Sequence, residues 1–383
     1  MLRNIRLLYI HNFLSDFWPQ WPYLIVYFPL ITGSYVSAMS VLAAETLTAA
    51  IMDIPTGVFS DRLGRRLTMF IGSVSAALGI AIYASAYGLT ALYVGAFFNG
   101  LSSCLFSGNN NAMLYETLKA EKMEDQFHHF RAGTGSMYQL ALCLSALSAM
   151  FLSNYGLRFV FWVAVIPQVM ASGVALFFEE PRIHIADNRK SWAILKHAIA
   201  NIYQNPKLLL LVLGKAICYG AGEAGFKFKG AFVNALWPTW AVGLYRALNH
   251  ASSFIGFRLA GYAIDRFKSA YIFIARDIYW FFGNISAVVL NNIFSPFPLM
   301  VGAFFFGPGE VASDHLMHKE FTDEQRATMG SLSSSASSVI FSIAALTIGV
   351  VSDRYGINTG VVVCAFMQLT SLPVYLYLFR KGF

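Results

Sequence analysis

The sequence predicts an all-α integral membrane protein of about twelve transmembrane helices, and three observations support this. Of its 383 residues 57% are hydrophobic and only 12% charged, about half the charged share of a soluble domain. The apolar residues come in long continuous runs without period-two alternation. Only helices and closed barrels satisfy their backbone in lipid, and the missing alternation excludes the barrel. At roughly 20 apolar residues per crossing, the length leaves room for about twelve spans with short loops.

In order, the spans are expected at roughly 8–31, 36–58, 67–88, 90–117, 131–153, 157–178, 207–235, 239–264, 269–291, 295–318, 328–351 and 358–380. The first follows Arg3 and Arg6 but is too long for a cleaved signal and lacks a small-residue cleavage site, so it is expected to be retained. Pro55 can end or bend the second. After the sixth comes the longest loop, 179–206, with Glu179, Glu180, Arg182, Asp187, Arg189 and Lys190. Its later part places Trp192, Leu195, Ala198, Ile199 and Ile202 on one side of an amphipathic surface helix. The domains expected are a six-helix bundle at 1–178, this cytoplasmic linker, and a second bundle at 207–383. In the tenth span Gly307-Pro308-Gly309 invites a broken helix.

With the N-terminus in the cytoplasm, 19 of the 27 Lys and Arg residues fall in inner loops or termini and two, Arg158 and Arg354, in outer loops. This bias orients the chain with both termini cytoplasmic. It also accounts for the net charge of +7 through orientation and anionic lipid rather than nucleic acid. Cys104, Cys143, Cys218 and Cys364 all fall inside expected helices without metal-ligand spacing and read as small buried residues.

Three local matches relate the halves. Gly57-x-x-x-Asp61-Arg62 pairs with Gly261-x-x-x-Asp265-Arg266, and Val94-Gly-Ala-Phe-Phe-Asn-Gly100 with Val301-Gly-Ala-Phe-Phe-Phe-Gly307. Arg131-Ala-x-x-Gly135-Ser136 pairs with Arg326-Ala-x-x-Gly330-Ser331. Six spans separate the copies, so both halves run in the same sense, a parallel repeat. Gly349-x-x-x-Asp353-Arg354 looks like a further copy but follows span eleven, and topology makes it an outer turn.

Ionisable groups inside spans are costly in lipid and face the bundle interior or water. Span seven carries Lys215, Tyr219, Glu223 and Lys227 at i+4 spacing, and span eight Arg246, Asn249, His250 and Ser253. Span ten carries Glu310 and Asp314 one turn apart, then His315 and His318, which are not expected to bind metal. The first half offers Asp16 beside Trp18, Gln20 and Trp21, then Glu45 and Asn109-Asn110-Asn111. A carboxylate in a dry cavity can trade protons near neutral pH, which nominates Asp16, Glu223, Glu310 and Asp314 for proton coupling. Trp18, Trp21, Asn110, Lys215, Tyr219, Lys227, Arg246 and His250 are the candidate substrate contacts. A Lys–Glu pair within span seven can also be purely structural. Lys229 and Arg258 are expected to snorkel from helix ends, and Arg276-Asp277 to form a local pair.

The charged turn Gly57-Val-Phe-Ser-Asp61-Arg62-Leu-Gly64-Arg65-Arg66 resembles the signature loop of the major facilitator superfamily of secondary transporters. Its glycines permit a tight turn and close helix approach, and Asp61 can accept hydrogen bonds from a helix N-terminus. The resemblance implies two six-helix repeats with a substrate site at the midplane between them. It nominates span eleven, near Gly330-Ser331, as the helix that Asp61 caps, and Glu116 as the partner of Arg65. These, with Arg62 and Arg66, form an inner gate that breaks when the halves rock. The second copy, with Asp265 and Arg266, has lost its Gly-Arg-Arg end. Asp53-Ile-Pro55-Thr-Gly57 and Met113-Leu-Tyr-Glu-Thr-Leu-Lys119 resemble a bacterial subgroup that contains many exporters.

No Walker loop, Ser-His-Asp set or zinc spacing is present in the sequence, so neither enzyme activity nor a cofactor is expected. The function expected is secondary active transport across a bacterial inner membrane, proton-coupled and by alternating access, in a monomer. The cations of spans seven and eight favour an anionic or zwitterionic solute, of metabolite or carboxylate-siderophore type. The alternative is a proton-driven exporter of hydrophobic compounds, and a further one a non-transporting receptor or scaffold.

Overall fold

The computed structural model describes residues 2–180, 205–267, 269–320 and 323–380. The linker segment 181–204, with the expected amphipathic helix, and Lys268 lie outside the described residues, as do the side chains of Asp314, His315 and His318. Among the described residues there are helices and no strands.

The helices are α1 (Leu2–Ser15), α2 (Leu24–Thr32), α3 (Tyr35–Leu63), α4 (Arg65–Ser85), α5 (Leu89–Phe106), α6 (Asn109–Ala120), α7 (Phe127–Leu152) and α8 (Leu157–Ala175). They continue as α9 (Pro206–Leu236), α10 (Thr239–Arg266), α11 (Ser269–Leu290), α12 (Pro296–Phe304), α13 (Phe306–Glu320), α14 (Asp323–Tyr355), α15 (Ile357–Leu369) and α16 (Ser371–Arg380). Nine segments among the described residues are long and apolar enough to cross a membrane, consistent with the twelve-span expectation. The expected spans missing from the nine are the first, the eighth and the tenth. The first is interrupted between α1 and α2, around Asp16, Pro19 and Pro22. The eighth, α10, contains Arg246 and Arg258, and the tenth is split between α12 and α13. All three of these segments carry candidate site residues, among them Asp16, Arg246 and Glu310.

Pro308 has no N–H to give the Phe304 carbonyl, and α12 stops at Phe304. The break therefore falls a turn before the Gly-Pro-Gly rather than at it. The other half breaks later along its matching span: Ser107 and Gly108, the latter at φ +71°, separate α5 from α6 beyond the Val94–Gly100 copy rather than within it. Pro55 does not end or break α3, which runs on to Leu63. A proline inside a helix orphans one carbonyl, here that of Ile51, without obliging the chain to turn. The helix ends where Gly64 takes φ +94°.

The described chain forms two compact units. In one, made of the chain up to Thr32 and from Ala44 through Glu180, α4 packs on α5 and α8, and α1 on α7 and α8. In the other, made of Gly33–Ala43 and the chain from Asn205 on, α9 packs on α14 and α15, and α10 on α12 and α13. The repeated Val-Gly-Ala-Phe-Phe-x-Gly does the same packing job in both. A Cβ on Gly100 would meet the Glu45 carbonyl of α3 at 2.5 Å, and one on Gly307 would strike the backbone of α10 at Gly256 and Phe257.

Candidate functional site

The charged loop builds a compact cluster inside the first unit. Arg65 Nη2 lies 2.9 Å from both Asp61 Oδ1 and Glu116 Oε1. Its Nε donates to Glu116 Oε1 at 3.2 Å and its Nη1 to Ser60 Oγ at 2.8 Å. Ser60 Oγ in turn donates to Asn109 Oδ1 (2.7 Å), and Asn109 Nδ2 donates to the Arg65 carbonyl (3.2 Å). One guanidinium thus ties together the end of α3, the start of α4 and the face of α6.

A member not expected from the sequence is Glu180. Its Oε1 accepts from the Arg65 backbone N–H at 2.6 Å and its Oε2 from that of Arg66 at 2.9 Å. This carboxylate caps the N-terminus of α4, where anions are favoured. Gly64 makes room for it: a Cβ there would sit 2.7 Å from the Glu180 carboxyl carbon. Close approach was expected at Gly57, but a Cβ on Gly57 would meet nothing within 4 Å. The glycine that the geometry requires is Gly64, through both its positive φ and its contact.

Asp61 lies within ion-pair distance of Arg65, one helical turn away. The Arg62 and Arg66 side chains are exposed. In the second copy, Arg266 Nη1 donates to Tyr262 Oη at 2.8 Å, and Asp265 is exposed. Of the three asparagines opening α6, Asn109 joins the cluster, whereas Asn110 Oδ1 is buried without a hydrogen-bond partner.

The second unit gathers the cations of α9 and α10. Lys215 pairs across helices with Glu310 at 3.0 Å, not within its own stripe. Lys227 stands 3.9 Å from Glu223 one turn away, and its ammonium lies 5.0 Å from the Phe341 ring centre. Tyr219 is 43% exposed. Lys229, expected to snorkel from a helix end, sits about two turns inside α9 and is half-buried.

Arg246 is 2% exposed. Its guanidinium lies 4.0 Å over the Phe226 ring. Nη2 donates to the carbonyls of Phe226 (2.7 Å) and Lys227 (3.3 Å), while Nε and Nη1 have no hydrogen-bond partner among the described residues. His250, one turn on, approaches the same Phe226 ring edge-on at 6.4 Å. Arg276 and Asp277 form a buried pair at 2.9 Å, with Asp277 also accepting from Ser371 Oγ at 2.7 Å.

Asp16 follows the last turn of α1 and is half-buried, as are Trp18 and Trp21 beside it. Its own N–H donates to the Asn12 carbonyl. Glu45 accepts from Tyr83 Oη at 2.8 Å.

A family model described as Major Facilitator Superfamily matches residues 12–309. The chain belongs to the Major Facilitator Superfamily of secondary transporters. This transporter, a multi-pass membrane protein and not an enzyme, is 25% identical over 246 residues to plastidic glucose transporter 4 of Arabidopsis thaliana. The match covers 62% of this chain and 42% of that relative, so the chain spans about two-fifths of the relative's length. Among solved structures, the D323A mutant of the nucleoside transporter NupG has a TM-score of 0.83 at 14% identity, covering 98% of this chain and all of that one. A D-xylose–proton symporter has a TM-score of 0.77 at 12% identity, covering 99% and 97% of the two chains. At such identities these likenesses speak for the fold alone.

Proposed function

We propose that this transporter carries a small polar anionic or zwitterionic organic solute, of metabolite or carboxylate-siderophore type, across a bacterial inner membrane. It works by alternating access and is coupled to protons. In this reading it is a monomer of two six-helix halves, 1–178 and 207–383, with the linker and both termini in the cytoplasm.

Arg246 is the observation that supports the substrate class. A guanidinium stays charged in a protein, and its buried donors cost free energy until they are met. Arg246 keeps two nitrogens without a hydrogen-bond partner among the described residues, whereas Lys215 and Lys227 each have a carboxylate nearby. A carboxylate on the solute supplies what Arg246 lacks.

Arg246→Ala should weaken binding of a carboxylate substrate about tenfold or more, and Lys227→Ala should weaken it less. Thermal-shift screening of purified protein, followed by proton-gradient-driven flux in proteoliposomes, measures both. Unchanged anion binding and uptake in both variants would remove the reading.

For proton coupling, Asp16 is the leading candidate, because Glu223 and Glu310 lie near lysines and no ion pair holds Asp16 among the described residues. A neutral sugar is the second reading, favoured by the match to a plastidic glucose transporter. It predicts that Arg246→Ala leaves sugar binding intact.

A further inference from the structure

Helix α3 meets a glycine–aspartate motif at each of its ends. Gly57-x-x-x-Asp61 closes it. At its start lies Gly349-x-x-x-Asp353 of α14, a turn that the topology sets apart from the gate. Asp353 Oδ1 accepts from the Tyr35 N–H at 2.7 Å. Oδ2 accepts from the Val36 N–H at 3.0 Å and from Ser34 Oγ at 2.6 Å. One turn before it, a Cβ on Gly349 would sit 2.5 Å from Val36 Cα and 3.0 Å from the Tyr35 carbonyl. The backbone of α3 therefore rests directly on Gly349. The Tyr35 ring meets Phe228 of α9 edge-on at 5.7 Å.

The start of α3 also has a cap of its own. Ser34 already caps it locally, its Oγ accepting the Ser37 N–H at 3.1 Å, which is the ordinary job of an N-cap serine. Asp353, 319 residues away in sequence from Ser34, adds a tertiary cap to this local one. It is exposed, so water can replace its contacts when they break. The clasped stretch is also singular in its allegiance. Residues Gly33–Ala43 belong to the second unit, whereas α3 from Ala44 onward belongs to the first.

We propose that Asp353 is the positioning residue of a second latch, at the end of α3 opposite the Asp61 cluster. Its carboxylate holds the first turns of α3 on α14 in one transport state and releases them in the other. Gly349 permits the approach, and Ser34 keeps the helix start intact when the latch opens. The latch rests on alternating access alone and on no particular substrate.

The test uses full-length protein in proteoliposomes with the four native cysteines replaced by serine and a reporter, Ala38→Cys, at a fully buried position. Asp353→Ala should raise the rate of reporter labelling by a membrane-impermeant maleimide roughly tenfold, the effect of losing one charged helix cap, and Asp353→Glu should return it part-way. A second variant pairs Ser34→Cys with Asp353→Cys. Oxidised, it should label slowly, and reduced, at least as fast as Asp353→Ala, because it lacks the Ser34 cap as well. An unchanged labelling rate in Asp353→Ala, in protein that melts as the parent does, overturns the latch, and so does a disulfide with no effect on labelling. Labelling needs no substrate, so that failure would leave the substrate reading standing, and flux of a different solute with no carboxylate binding would leave the latch standing.

Discussion

Removing Arg65 should destabilise the first unit by about 2–3 kcal/mol, most of it through Glu116. The Arg65 side chain is 13% exposed and that of Glu116 23%, so the pair is largely withdrawn from water. Arg65 makes two contacts to Glu116 Oε1 and one each to Asp61 and Ser60. Breaking a fully buried pair by deleting one partner costs roughly 3–5 kcal/mol, and an exposed pair about 0–1 kcal/mol. This cluster lies between those limits, nearer the first because Glu116 Oε2 already has no partner. A double-mutant cycle of Arg65→Ala and Glu116→Ala, read by denaturant unfolding in detergent, should give a coupling energy of about 1–2 kcal/mol. Arg65→Lys should recover little of it, because one ammonium cannot reach Glu116, Asp61 and Ser60 as the planar guanidinium does. A coupling below about 0.5 kcal/mol, or full rescue by lysine, would refute the reasoning.

Gly64→Ala should cost more than Glu180→Ala in the same unfolding assay. The first forces a side chain into φ +94° and against the Glu180 carboxylate, whereas the second removes a cap worth about 0.5–2 kcal/mol. Lys215→Met and Glu310→Gln should each lower the melting temperature, and Lys215→Met with Glu310→Met should restore part of the loss, because the double change leaves no buried charge unpaired.

Much of the fold was legible because lipid imposes a simple rule, a long apolar run for each crossing. One interruption was legible where a residue type forces it, near Pro308, whereas the one at Gly108 falls inside a span read as continuous. Pro55 shows the limit: proline weakens a helix without dictating where it ends, and packing carries α3 on to Leu63. The site was legible only in part. Asp61 and Arg65 are one turn apart, so their proximity follows from helix period. Glu223 and Lys227, also one turn apart, follow the same reasoning, but Lys215 pairs with Glu310 of another helix, which no periodicity encodes. Glu180 was hidden for the same reason, 115 and 114 residues from the two N–H groups it caps. Asn109 was distinguishable from Asn110 only by the face of α6 it occupies.

Between Tyr35 and Asp61, α3 is a ruler. Those 26 steps of helix measure roughly 39 Å along the axis, and about 37 Å across the membrane at the usual tilt of about 20°. The hydrocarbon layer is about 30 Å thick. The carboxylates at the two ends of this helix therefore cannot both lie in hydrocarbon, and at least one works at headgroup depth, among ions and lipid phosphates. Bilayer thickness then becomes a control variable. Thicker lipid draws the end clusters into a drier medium and tightens their ion pairs, while thinner lipid leaves them to salt and anionic headgroups.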